Sequence, residues 1–166
     1  MYPILHFALL LGVQAVCLIG VGYVVGSLRS MRPRLLLTCS ALGLVTGVIC
    51  DYVCVNILDI YSYTFSLNIA FLVVNGIFSY GIMMATVALM QGLTFMRFWA
   101  WTSLVGFVYE AANVYLEIWQ WHFAHSVFVE ELIIIFAAST GLSMIMAVGL
   151  QLFHIASFRM FAVCIR

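Results

Sequence analysis

Long apolar runs alternate with short polar breaks along the chain, and five of the runs are long enough to cross a membrane. They cover approximately residues 3–27, 35–58, 67–96, 98–118 and 127–153. A membrane-crossing helix needs about 20 mostly apolar residues. The third and fifth runs exceed that length and are expected to tilt or to project beyond the hydrocarbon. No run shows the alternation of a membrane barrel strand, so the pattern predicts helices. The expected fold is all-α: a polytopic membrane helical bundle of five transmembrane helices, forming one membrane domain over residues 1–166 with a short tail at 154–166.

Composition agrees with that pattern. The chain is 66% apolar and 7% charged, with a mean hydropathy of +1.20. Soluble domains carry about 45–50% apolar and about 25% charged residues. A net charge of zero leaves no basic footprint for nucleic acid. The five cysteines (Cys17, Cys39, Cys50, Cys54 and Cys164) are scattered without a C-x-x-C pair, and read as small apolar fillers rather than a disulfide framework or a zinc site.

The charges set an expected orientation. All six basic residues are arginines: Arg29, Arg32 and Arg34 between the first two runs, Arg97 between the third and fourth, and Arg159 and Arg166 after the fifth. Five crossings put all six on one face, which the positive-inside rule makes cytoplasmic, or its organelle equivalent, with the N-terminus outside. The first run lacks a basic leader and is followed by arginines, which argues against a cleaved signal. The six acids (Asp51, Asp59, Glu110, Glu117, Glu130 and Glu131) all fall toward the opposite half. Asp51 and Glu110 lie inside their runs, where a carboxylate costs about 2.5–3.5 kcal/mol, so such residues normally face the bundle interior and mark function. The alternative is a protonated acid hydrogen-bonded to a neighbouring helix. Glu110, Asn113 and Glu117 have the spacing of one helical face.

An internal repeat is visible. LDIYSYTF at 58–65 matches LEIWQWHF at 116–123, acid for acid and aromatic for aromatic. Upstream, Gly47 to Asp51 aligns with Gly106 to Glu110 if one residue is slipped. The runs after the first therefore form two expected copies, 35–96 and 98–153, parallel and related by an axis along the membrane normal. Tyr61, Tyr63, Trp119 and Trp121 fit two roles: anchors at the membrane interface, or walls of a cavity for a hydrophobic ligand. Gly22-x-x-x-Gly26 and Gly43-x-x-x-Gly47 read as close helix-packing faces.

The second copy resembles the small integral-membrane lycopene cyclase domain of the bacterial heterodimeric and archaeal or fungal fused enzymes. The likeness rests on Glu110, Trp119 and Trp121, followed by Phe-Val-Glu-Glu-Leu-Ile-Ile-Ile-Phe at 128–136. It covers about forty residues, and the fungal membrane terpene cyclases are a more distant likeness. Phe128 stands where that family has proline, and Leu72 and Val73 stand about where the first copy would carry a second Glu-Glu.

The resemblance implies proton-initiated cyclisation of an isoprenoid end group, an isomerisation that needs no cofactor. Glu110, Glu130, Glu131 and Asp51 would be its acids, with Asn113, Trp119, Trp121, Tyr61 and Tyr63 around the substrate. The expected partners are a hydrophobic polyene or lipid, the membrane lipids, and further subunits of the same or another chain, with no nucleic acid. His122 and His125, near Glu130 and Glu131, make a weak metal candidate. The competing class is a non-catalytic hydrophobic subunit that binds pigment or lipid within a larger membrane complex.

Overall fold

The computed structural model describes residues 3–64, 69–122 and 128–158; the side chains of 3, 114, 128–132 and 134 lie outside that description. Five helices carry the chain. Helix α1 is Pro3–Val24, α2 is Pro33–Ile57, α3 is Ile69–Leu89, α4 is Phe95–Leu116 and α5 is Phe128–Leu152. Four of them, α1, α2, α3 and α5, are long and apolar enough to cross a membrane. In α4, Arg97, Trp99, Trp101, Thr102, Ser103, Glu110 and Asn113 dilute the hydropathy of an otherwise sufficient length.

Local chemistry sets the helix ends. Pro33 opens α2 after an extended Arg32, the position where a missing N–H matters least. Gly26, with φ +70°, turns the chain just after α1, so it belongs to a turn and not to a packing face. Gly92, with φ +78°, does the same between α3 and α4. The third run therefore breaks at Leu89, earlier than its apolar character suggests, because the Gln-Gly pair at 91–92 allows the reversal.

Helix α3 is the most buried of the candidate spans. Helix α2 packs along it, α4 packs along α5, and α1 lies against both α3 and α4. Small residues permit the closest approach. A Cβ on Gly43 would lie 2.5 Å from the backbone nitrogen of Gly81, and one on Gly47 would lie 2.7 Å from the Tyr80 ring. Gly106 meets Ser139 in the same way between α4 and α5.

Two helices contain a π-helical turn. In α2 it covers Val53–Ile57, and in α3 Gly76–Tyr80. Such a turn accommodates an extra residue and is enriched at functional sites. Beyond the helices, a two-stranded ribbon that the sequence pattern does not predict joins Tyr61–Tyr63 (β1) to Trp119–Trp121 (β2). The strands are antiparallel, with Tyr61 opposite Trp121 and Tyr63 opposite Trp119.

The ribbon lies at one end of the bundle, near the start of α1, where His6 Nδ1 is 2.8 Å from the Leu116 carbonyl oxygen. At the other end the Ser27 hydroxyl donates to the Leu89 carbonyl, and the described arginines (Arg29, Arg32, Arg34 and Arg97) flank those turns. Large apolar side chains such as Leu37, Val45, Ile49, Leu104 and Val148 cover the outside of the bundle, a surface suited to lipid. Gly43→Ala should lower stability by about 1–3 kcal/mol, because its methyl meets backbone that cannot move aside. Gly12→Ala, with nothing within 4 Å, should leave the unfolding midpoint in denaturing detergent unchanged.

Candidate functional site

Asp51 is fully buried, near the end of α2. Its Oδ1 accepts three hydroxyl bonds, from Tyr61 at 2.7 Å, Tyr80 at 2.9 Å and Tyr63 at 3.1 Å. Its Oδ2 accepts the Asn75 amide at 2.9 Å. Two of these donors come from α3 and are five residues apart. In an α-helix, residues five apart point about 140° away from each other. The π turn at Gly76–Tyr80 brings Asn75 and Tyr80 round to the same carboxylate. Burial, reinforced by the neighbouring phenols and Asp51, holds the Tyr61 and Tyr63 hydroxyls well above their ordinary titration range, so both stay neutral donors.

Glu110, on α4, is held more loosely. Its Oε2 accepts the Trp121 indole N–H at 2.9 Å and the Asn113 amide at a long 3.5 Å. Asn113 is chiefly a clamp on the ribbon: its Oδ1 accepts the Trp119 backbone N–H at 2.9 Å, and its amide donates to the Trp119 carbonyl at 3.2 Å. The ribbon links the two acids. Tyr61, bonded to Asp51, and Trp121, bonded to Glu110, meet edge to face with ring centroids 5.4 Å apart.

The ribbon's surroundings are matched in pairs. Asp59 and Glu117 both take left-handed backbone, with φ of 49° and 50°. The Thr64 N–H donates to the Ile118 carbonyl at 3.1 Å, and the His122 N–H donates to the Ile60 carbonyl at 2.9 Å. The Thr64 hydroxyl donates to the Glu117 carbonyl, while the His122 ring faces Asp59 and Ser62. Because α4 ends at Leu116 and the chain then turns left-handed, Glu117 is exposed and leaves the face shared by Glu110 and Asn113.

A cavity of about 420 Å3 runs down the bundle interior. Its ribbon end is lined by Tyr61, Tyr63, Trp119, Trp121 and Glu110, and it reaches Met90 and Thr102 near the arginine end. Both Asn75 and Met90 line it, a rise of about 22 Å along a helix. Its walls are mainly apolar, with Met83, Val87, Val105, Leu142 and Met146 among them. Among the described residues, α2 and α5 do not pack along each other. Cys50 and Cys54 line the cavity from α2, and Ile145, which is 61% exposed, lines it from α5. The cavity thus reaches toward the apolar outer surface of the bundle between α2 and α5.

The four aromatics that the sequence singles out all line this cavity, as does Glu110. Asp51 lies behind that wall, screened by tyrosines. Asn113 is absent from the lining because its amide is committed to the ribbon backbone. Glu130 and Glu131 fall in the first turn of α5, but their side chains, and all of His125, lie outside the described residues. Asn75 and Tyr80 complete the Asp51 set and are not picked out by the repeat. An asparagine in the middle of an apolar run was the available signal for one of them. No group of three or more potential metal ligands occurs among the described residues.

No family model, curated relative or solved structure matches the chain. Asp51→Ala leaves three phenols and an amide without their shared acceptor and should cost at least about 3 kcal/mol. Glu110→Ala removes one indole bond from a half-open site and should cost about 1 kcal/mol. Denaturing-detergent titrations of the two variants measure that difference.

Proposed function

We propose that the chain is an isoprenoid end-group cyclase, similar in kind to the small membrane lycopene cyclases, in which Glu110 delivers the initiating proton. The observation that carries this reading is the setting of Glu110. Its Oε2 accepts the Trp121 indole N–H, Trp119 and Asn113 also lie beside its carboxylate, and the residue borders an aromatic-walled, mainly apolar cavity. An acyclic polyene can enter such a cavity from the membrane without crossing water.

Each step balances without a redox partner. The O–H bond of the Glu110 acid breaks as a C–H bond forms at a terminal alkene, leaving a tertiary carbocation. A second alkene of the same chain attacks the cation and forms the ring C–C bond. Loss of a neighbouring C–H proton to a carboxylate restores the acid and leaves an isomer of the substrate. Glu130 and Glu131 stand in this scheme as further proton carriers on the strength of the sequence pattern alone. Asp51 acts as a positioning residue that fixes Tyr61 and Tyr63 beside the reacting chain.

The same proposal takes the protein as five crossings built from two parallel copies, with the arginine end cytoplasmic. Several paired features support the copies. Asp51 bonds Tyr63 as Glu110 bonds Trp121, and Asp59 and Glu117 share one backbone conformation. The one-residue slip between the copies coincides with the π turn at Val53–Ile57, which takes up one residue more than an α turn. Single cysteines at Ser30 and Gln91 should label from the cytoplasmic side with an impermeant thiol reagent, and at Ser62 and Gln120 from the other side. Labelling of Ser62 and Ser30 from the same face would sink the topology.

A non-catalytic, pigment- or lipid-binding subunit is the second reading, and the closure of Asp51 favours it. A carboxylate with four donors and no exposure is built for structure. Conversion separates the two readings. With wild type in membranes, an acyclic polyene should yield a cyclised isomer, and Glu110→Gln should reduce that conversion at least about 100-fold while the protein stays folded. Unchanged conversion in the glutamine variant removes Glu110 from the chemistry. A wild type that binds the polyene and never cyclises it decides for the subunit.

A further inference from the structure

The ribbon has a second face, which the cyclase reading does not use. Side chains alternate along a strand. Tyr61, Tyr63, Trp119 and Trp121 line the cavity, so Ser62 and Gln120 between them turn outward. His122 carries the ladder one residue further, its N–H donating to the Ile60 carbonyl, and its ring lies on the same outer face as Ser62.

Three side chains form one line of hydrogen bonds there. His122 Nδ1 is 2.8 Å from Asp59 Oδ1 and 3.1 Å from the Asp59 carbonyl oxygen. Both partners are acceptors, so Nδ1 carries the hydrogen and the neutral ring keeps a lone pair on Nε2. Nε2 is 2.9 Å from Ser62 Oγ and accepts its hydroxyl. Asp59 reaches the ring from a left-handed turn after α2, with φ 49°, a conformation uncommon outside glycine.

A carboxylate on Nδ1 and a hydroxyl on Nε2 is the order in which an imidazole makes serine a nucleophile. Gln120 stands directly opposite Ser62 across the ribbon, where facing Cβ atoms are about 4.5–5.5 Å apart. Its side chain is exposed and has no hydrogen bond among the described residues. An amide so placed can donate to a developing oxyanion. We propose that Ser62, His122 and Asp59, with Gln120, form a second catalytic site, which hydrolyses a carboxylic ester on the outer face of the ribbon.

Ser62 Oγ bonds to the ester carbonyl carbon while its proton passes to His122 Nε2, and the carbonyl oxygen takes up the electron pair. Collapse of this intermediate breaks the C–O bond to the alcohol, which leaves with the proton from Nε2. Water repeats the attack on the acyl-serine, releasing the acid and restoring Ser62. The Asp59 side chain is 81% exposed, so water screens its support of the imidazolium. That setting suits an ester, whose alcohol leaves more easily than an amine. Ile57 and Leu58, next to Asp59 in the chain, are more than half exposed, and they offer apolar surface to a lipophilic acyl chain.

The full chain in lipid nanodiscs should hydrolyse p-nitrophenyl decanoate, and Ser62→Ala and His122→Gln should each slow it at least about 100-fold. Asp59 is a positioning residue, and asparagine tolerates its left-handed backbone. Asp59→Asn should lower kcat about tenfold with KM unchanged. A decyl fluorophosphonate should form its adduct on Ser62 in peptide mapping of wild type, a readout that does not depend on any variant folding. Ser30→Ala, at the other end of the bundle, should alter neither measurement. No ester turnover by wild type overturns the proposal, as does an adduct on another residue. Turnover undiminished in Ser62→Ala overturns it too, because the imidazole would then be acting alone. The cyclase reading stands or falls separately, on polyene conversion.

Discussion

A carboxylate enclosed in an apolar bundle must have its lone pairs occupied, since no water is at hand to do so. Asp51 imposes that requirement on three separate pieces of chain. Helix α3 meets it by relaxing into a π turn, which brings Asn75 and Tyr80 onto one face. The segment after α2 meets it by sending Tyr61 and Tyr63 back over the carboxylate. Glycines at 43 and 47 let α2 lie close enough to α3 for those short bonds to form. Remove the carboxylate and the π turn, the ribbon position and the close packing all lose their common purpose.

The ribbon transmits this constraint to the second acid. Its register pairs Tyr61 with Trp121 and Tyr63 with Trp119, so a tyrosine fixed by Asp51 sets the place of the tryptophan that holds Glu110. Asn113 locks the other strand from α4 through both polar groups of the Trp119 backbone. Two short strands would be marginal alone. Here they are held from both sides by buried polar contacts, and they seal the end of the cavity.

Much of this was legible in the residues. The apolar runs located the helices to within a few residues except where glycines allowed early turns, as at Leu89. Acids inside apolar runs and paired aromatics pointed to the candidate site, because a carboxylate in apolar surroundings is too unfavourable to be incidental. What could not be read was three-dimensional. Three-residue strands have no periodicity to detect, and a π turn leaves no compositional trace. Asn113 and Glu117 were placed on one face by helical spacing. The left-handed turn at Glu117 ended the helix first, and Asn113 turned to the backbone instead of the cavity.

The two acids, alike in sequence context, end in opposite physical states. Asp51 is closed, with four donors and no exposure; Glu110 is partly buried, with the Trp121 indole as its short donor, Trp119 and Asn113 beside it, and a face on the cavity. That difference follows from the residues around each acid. Tyrosine hydroxyls can converge on one carboxylate oxygen, whereas an indole N–H reaches only from the edge of a bulky ring. Strand β1 has tyrosine at both inward positions, and α3 adds Asn75 and Tyr80 from the two ends of its π turn. Strand β2 has tryptophan at both, and the α5 that packs on α4 has a regular backbone throughout. A saturated acid thus belongs to a fixed wall, while a more loosely held one borders the cavity.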